Sequence, residues 1–96
     1  MAALMVATIH MKDPAKFSEY ARQAGPVVKQ WGGEFLARGK REATLTGSAT
    51  NDATAIIRFP DTKTIADWYN PPEYQALIPL RDAGADVTFV SYSVPE

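Results

Sequence analysis

Apolar residues along this chain alternate between a strand-like and a helix-like period. Leu4 to Met11 is apolar and rich in β-branched residues, and it stops at Lys12-Asp13-Pro14. Asp suits the N-cap of a helix and Pro its first turn, so a strand followed at once by a helix is predicted. In that helix Phe17, Tyr20, Ala21, Ala24, Val28 and Trp31 recur at three- and four-residue steps and form one stripe, with Lys16, Glu19, Arg22, Gln23 and Lys29 mostly outside it. Pro26 has no amide hydrogen for the carbonyl four residues back, so a kink or a restart is expected at Gly25-Pro26. Gly32-Gly33 ends the helix.

Glu34 to Thr46 reads as a long strand with Gly39 at its middle, where a missing side chain marks a bulge or a close backbone approach. Gly47 to Asp52 is the turn, and Ala53 to Phe59 returns antiparallel to complete a hairpin. A register opposing Glu42 to Arg58 puts Leu45, Ala43, Ile57 and Phe59 on one face; a slip of one residue opposes Arg41 to Arg58, two like charges. The first register is expected. Asp61 then caps a helix with Ile65, Trp68 and Tyr69 on its buried side, and Asn70-Pro71-Pro72 breaks it. A further helix starts near Pro72, turns Tyr74, Leu77 and Ile78 inward, bends at Pro79 and leaves at Gly84. Val87 to Val94, apolar on both faces, is the last strand.

Strand, helix, strand, strand, helix, strand is the split βαβ order called ferredoxin-like, an α+β fold with right-handed crossovers. A single domain spanning residues 1–96 is expected. Its helices cover one face of a four-stranded antiparallel sheet and leave the other without cover from the same chain. Leu4, Val6, Leu36, Ile56 and Val90 cannot all lie beneath the helices. The apolar face that remains favours a twofold partner, so a homodimer packed sheet to sheet is expected, against the plainer alternative of a monomer with a modest patch.

Composition narrows the partners. A formal net charge of -1 lacks the electrostatic footprint of a nucleic-acid or anionic-membrane binder, and the absence of cysteine excludes disulfides, a thiolate nucleophile and zinc-thiolate sites. The apolar opening has no basic residue before Lys12 and is too short to cross ~30 Å of hydrocarbon, so a cytoplasmic location and no membrane contact are expected.

His10 is the one side chain whose ordinary pKa lies near neutrality, and it sits at the end of the first strand, where it serves either as a general base or simply as a rim residue. One histidine without cysteine makes none of the usual zinc ligand sets, and the carboxylates show no ligand spacing; neither a metal nor a cofactor is expected. Haem held by His10 rests on a single nonspecific ligand. Arg38 and Arg58, on adjacent predicted strands, offer guanidinium groups to a carboxylate or enolate, although Glu42 opposite Arg58 also gives that arginine a structural partner. Arg81 suits a salt bridge near a helix end. Trp68 suits the core, while Tyr69 and Tyr74, flanking the proline break, offer hydroxyls to a ligand. Gly33 to Lys40 lacks the spacing and the Ser/Thr of a P-loop, and Ala53 to Phe59 lacks the aromatic signature of an RNA-binding sheet.

Asp13-Pro14 with Tyr20, Gly33-Glu-Phe-Leu-Ala-Arg-Gly39, Phe59-Pro60, and Trp68-Tyr-Asn-Pro-Pro-Glu-Tyr-Gln75 with Arg81 resemble, nearly end to end, the family called domain of unknown function 1330. The resemblance implies a dimeric α/β barrel of ferredoxin-like subunits and no established reaction. Phe17 stands where that family commonly has tyrosine, and Lys40 where it commonly has glycine. Barrels of this kind include cofactor-free monooxygenases, lactone isomerases and haem enzymes, so the fold alone does not select a chemistry.

The expected function is therefore a small homodimer that binds an anionic or aromatic organic molecule between sheet and helices, with Arg38, Arg58, Tyr69 and Tyr74 as contacts. One alternative is a cofactor-independent monooxygenase- or isomerase-like enzyme, with His10 as base and Arg38 or Tyr69 stabilising an oxyanion. The other is a structural or regulatory dimer module whose interior is filled by side chains. One enclosed cavity of ~300 Å³ shared by His10, Arg38 and Tyr69 favours binding or catalysis; their dispersal speaks against both.

Overall fold

The computed structural model describes residues 2–95. The elements are β1 (Ala3–Met11), α1 (Pro14–Gln30), β2 (Glu34–Lys40), β3 (Ala53–Phe59), α2 (Thr62–Tyr69), α3 (Pro72–Gln75), α4 (Ile78–Gly84) and β4 (Ala85–Ser93). The strands lie in the order β2-β3-β1-β4, each pair antiparallel. With the helices on one side this is the ferredoxin-like α+β fold. The shortest molecular dimension is 16 Å, as expected of one helical layer on one sheet.

Local chemistry sets the element starts. The Asp13 carboxylate accepts from the Lys16 amide at 3.2 Å, and Asp61 accepts from the Thr64 amide at 2.7 Å and its hydroxyl at 2.6 Å. Helix α1 runs through Gly25-Pro26 as one element rather than restarting there. Its last turn closes onto the sheet where the Gly33 amide donates to the Val28 carbonyl at 2.9 Å.

Alternation along β1 turns Ala3, Met5, Ala7 and Ile9 into the core, where they join Ile57, Phe59, Tyr20, Ala24, Val28, Ile65, Trp68 and Tyr74. Intervening residues form the opposite face. Two cross-strand rows define it, Ala37, Ile56, Val6 and Val90 in one, and Glu34, Arg58, Leu4 and Tyr92 in the other. Leu36, Val90 and Tyr92 are exposed large apolar side chains. The bare apolar face expected from the strand pattern is present.

The hairpin register differs from expectation. Glu34, not Glu42, faces Arg58, because β2 stops at Lys40 and carries a bulge between Phe35 and Ala37. The ladder ends where polar groups find other partners: the Arg41 amide donates to the Asp52 carbonyl at 2.7 Å and its Nε to the Asn51 carbonyl at 2.6 Å. Asp52 is in turn tied to β1, its amide donating to the Ile9 carbonyl and its carboxylate accepting from the Met11 amide, both at 2.7 Å. Glu42, Ala43 and Leu45 therefore belong to an irregular connection, and Leu45 is 96% exposed instead of lying beside Ile57 and Phe59.

Candidate functional site

Small side chains open a space between α1 and the sheet. Ala7 and Ala55 face each other across β1 and β3, and Ala24 and Gly25 lie on the helix above them. The resulting cavity measures about 270 Å³ and is walled largely by apolar groups, among them Ile9, Phe35, Val87 and Phe89. The β2 bulge shapes one side. It lets Phe35 pair with Ile57 and Arg38 with Ala55, so two residues three apart both turn toward the helices. The Arg38 guanidinium carbon sits 4.2 Å from the centre of the Phe35 ring, and among the described residues no carboxylate pairs with it. A stacked guanidinium bordering an apolar space keeps its fork of donors for an anionic or enolic oxygen.

The second cluster lies where α1, α3 and α4 meet. Tyr20 and Tyr74 are buried with their hydroxyl oxygens 2.7 Å apart, and Arg81 Nη1 donates to Tyr74 Oη at 3.0 Å and to Tyr69 Oη at 3.4 Å. Arg81 Nε donates to Asp82 at 3.1 Å, and only 11% of the arginine side chain is exposed. Trp68 packs on Tyr74 with ring centres 4.6 Å apart, and Tyr69 on Tyr74 at 5.1 Å. Burial raises the Tyr20 and Tyr74 hydroxyls above the ordinary tyrosine pKa, so both stay neutral in the physiological range. For Arg81 burial acts downward, but the bonds to Tyr69, Tyr74 and Asp82 outweigh it and hold the guanidinium charged.

The sequence-predicted residues thus fall in three places. Arg38 borders the α1 cavity, Tyr69 and Tyr74 gather around Arg81, and His10 and Arg58 lie on the bare face of the sheet. His10 is half-exposed at the end of β1, its Nδ1 3.0 Å from the Thr50 carbonyl oxygen and 3.5 Å from the Asp52 carboxylate. Arg58 is exposed between Leu4 and Glu34 in the strand ladder. Among the described residues, Arg38 borders the α1 cavity and Tyr69 a different one, and His10 lines neither. Sequence reasoning passed over Tyr20 as a polar group and over the aromatic setting of Arg81. Their signal was the coincidence of Tyr20, Trp68-Tyr69, Tyr74 and Arg81 among the family-like segments, which no spacing rule converts into a contact.

A family model described as domain of unknown function (DUF1330) matches residues 2–93. The chain belongs to that family. No curated protein matches it. A protein of unknown function from Rhodopseudomonas palustris is similar in structure, with a TM-score of 0.84 at 18% identity over 99% of this chain and 83% of that one. A dimeric ferredoxin-like protein of unknown function from Jannaschia sp. gives 0.77 at 12% identity, covering 98% of this chain and 100% of the other. SnoaB, a cofactor-independent oxygenase from Streptomyces nogalater, gives 0.72 at 11% identity over 99% of this chain and 94% of its own. At such identities the likeness establishes the fold and leaves the chemistry to the residues.

Proposed function

We propose that the protein is a small cytoplasmic homodimer that binds a small aromatic or anionic organic molecule between α1 and the sheet. The observation carrying this is the cavity of about 270 Å³, apolar on most sides and bordered by the Arg38 guanidinium, with which no carboxylate of the described residues pairs. Its size is near the ~300 Å³ lower end of small-molecule sites, and its polarity suits a planar body with one carboxylate or enolate oxygen. Tyr20, on the α1 wall, lends its ring to the same lining while its hydroxyl is turned to Tyr74. Self-association draws support from the apolar rows around Val6 and from the dimeric description of the Jannaschia protein. In such an assembly Arg58 and His10 face the second copy rather than the cavity.

The likeness to SnoaB favours an enzymatic second reading, a cofactor-independent reaction on the bound molecule. With His10 on the far side of its own sheet, His10 acts as base in that reading only for a substrate held between subunits. Titration of the intact protein with 2-naphthoate, followed by the ligand's fluorescence, tests the binding proposal. Saturable binding is expected, weakened about tenfold by Arg38→Met, the equivalent of ~1.4 kcal/mol. Absence of saturation at millimolar ligand, or an affinity indifferent to Arg38→Met, overturns it.

A further inference from the structure

We infer that the chain carries a second site beside the α1 cavity, a receptor for a small organic monocarboxylate built around Arg81 between α2, α4 and β4; Met5, Trp68, Val87 and Phe89 line both cavities. A cavity of about 390 Å³ lies there, lined by Arg81, Tyr69, Asn70, Thr62 and Ser91 on its polar side and by Ile65, Trp68, Val87 and Phe89 on its apolar side. Arg81 is almost withdrawn from solvent, yet its fork is only partly used. Nε is held by Asp82 and Nη1 by the two tyrosine hydroxyls, while Nη2 makes no hydrogen bond among the described residues. The guanidinium carbon lies 5.4 Å from the centre of the Phe89 ring, so stacking and the Tyr74 bond fix its plane before any ligand arrives.

Trp68 closes the apolar side. It lines the cavity and is 2% exposed. The charge balance selects the class of ligand. Arg81 brings one positive charge and Asp82 at Nε already offsets part of it, so a singly charged carboxylate suits the site better than a phosphate dianion. Thr62, Ser91 and Asn70 provide hydroxyl and amide groups for a second polar substituent, and the Trp68–Phe89 side accepts an apolar one.

The test uses the full chain labelled with nitrogen-15, titrated with benzoate, neutral benzamide and inorganic phosphate. Benzoate is expected to shift the Trp68 indole resonance together with the Asn70 and Ser91 amides, saturably, with benzamide and phosphate at least tenfold weaker. Arg81→Lys keeps the charge and loses the fork, and is expected to weaken benzoate about tenfold. Should that variant not fold, Tyr69→Phe, which alters a hydroxyl at the cavity wall, is expected to weaken benzoate severalfold. Arg38→Met is expected to leave these shifts unchanged, which separates this site from the α1 cavity. Equal binding of benzamide, preference for phosphate, no saturable shift at Asn70 and Ser91, or benzoate affinity unchanged in both Arg81→Lys and Tyr69→Phe each overturns the inference.

Discussion

The hydroxyl oxygens of Tyr20 and Tyr74 lie 2.7 Å apart and tie α1 to α3 across a sequence separation of 54 residues. Tyr74 also accepts from Arg81, so the two tyrosines are not equivalent. Tyr20→Phe removes one bond and is expected to cost about 1–2 kcal/mol in urea unfolding, because Tyr74 keeps the arginine as partner. Tyr74→Phe leaves Tyr20 without its bond and Arg81 Nη1 with only the longer contact to Tyr69, and is expected to cost more. In a double-mutant cycle the paired Phe variant should be less destabilised than the sum of the single changes. Strict additivity of the two costs shows that the hydroxyls do not interact.

Burial gives the same pair a pH signature. Both hydroxyls hold their protons more strongly in the folded chain than at the ordinary tyrosine pKa of 10.0. A pKa raised by folding contributes stability that is complete below the unfolded value and is lost as pH rises, since above about pH 10 the unfolded chain sheds protons that the folded chain keeps. Stability measured by urea midpoint is therefore expected to be insensitive to these groups near pH 8 and to fall between about pH 10 and 11, by up to ~1.4 kcal/mol per pH unit for each tyrosine held neutral. Tyr20→Phe should make that fall shallower. An unchanged slope shows that Tyr20 ionises as freely in the folded chain as in the unfolded one.

Gly84 is where α4 and α1 touch backbone to backbone. Its carbonyl accepts from the Lys12 and Asp13 amides at 2.9 and 2.8 Å, and a Cβ added to it would stand 2.5 Å from the Phe17 amide nitrogen. Backbone atoms at that distance cannot be relieved by a rotamer change. Gly84→Ala is expected to lower stability by about 2–3 kcal/mol, whereas Gly39→Ala, with nothing within 4 Å of the added carbon, should change it little. Thermal unfolding of the two variants side by side checks this, and similar melting temperatures count against the close α1–α4 packing.

Much of this architecture is readable from local pattern because local physics decides it. Asp13 and Asp61 cap their helices as short-range rules require, and strict alternation along β1 separates Met5 and Ala7 from Leu4 and Val6. The same alternation puts His10 on the face of Val6 and Thr8, away from Ile9 and from the α1 cavity. What escaped is set by contacts distant in sequence. Asp52 binds β1 and so ends the β2–β3 ladder at Lys40, and the bulge beside Leu36 changes which residues pair; neither follows from the hairpin's own residues. Arg81 makes the salt bridge expected of it, to Asp82, but nothing at neighbouring positions announces that Tyr74 and Phe89 will enclose it.

Val6 tests the assembly. It lies on the bare face between Ile56 and Val90 in the central row of the sheet, with Leu4 following on the same strand face. In a sheet-to-sheet homodimer this row is buried, and a carboxylate placed there loses its water without gaining a partner. Val6→Glu is thus expected to convert a species of twice 10.5 kDa into one of 10.5 kDa in sedimentation at micromolar concentration. The dissociation constant should rise at least a hundredfold, about 2.7 kcal/mol. The fold itself should survive, since Val6 points away from the core and a strand-propensity loss is on the order of 1 kcal/mol, a change that circular dichroism will show as an unaltered spectrum. Thr88→Glu, on the edge strand β4 of the same face, is the milder control and should weaken association less than tenfold. A wild-type chain that sediments as one subunit, or a Val6→Glu chain that remains paired, places any partner elsewhere than on this sheet.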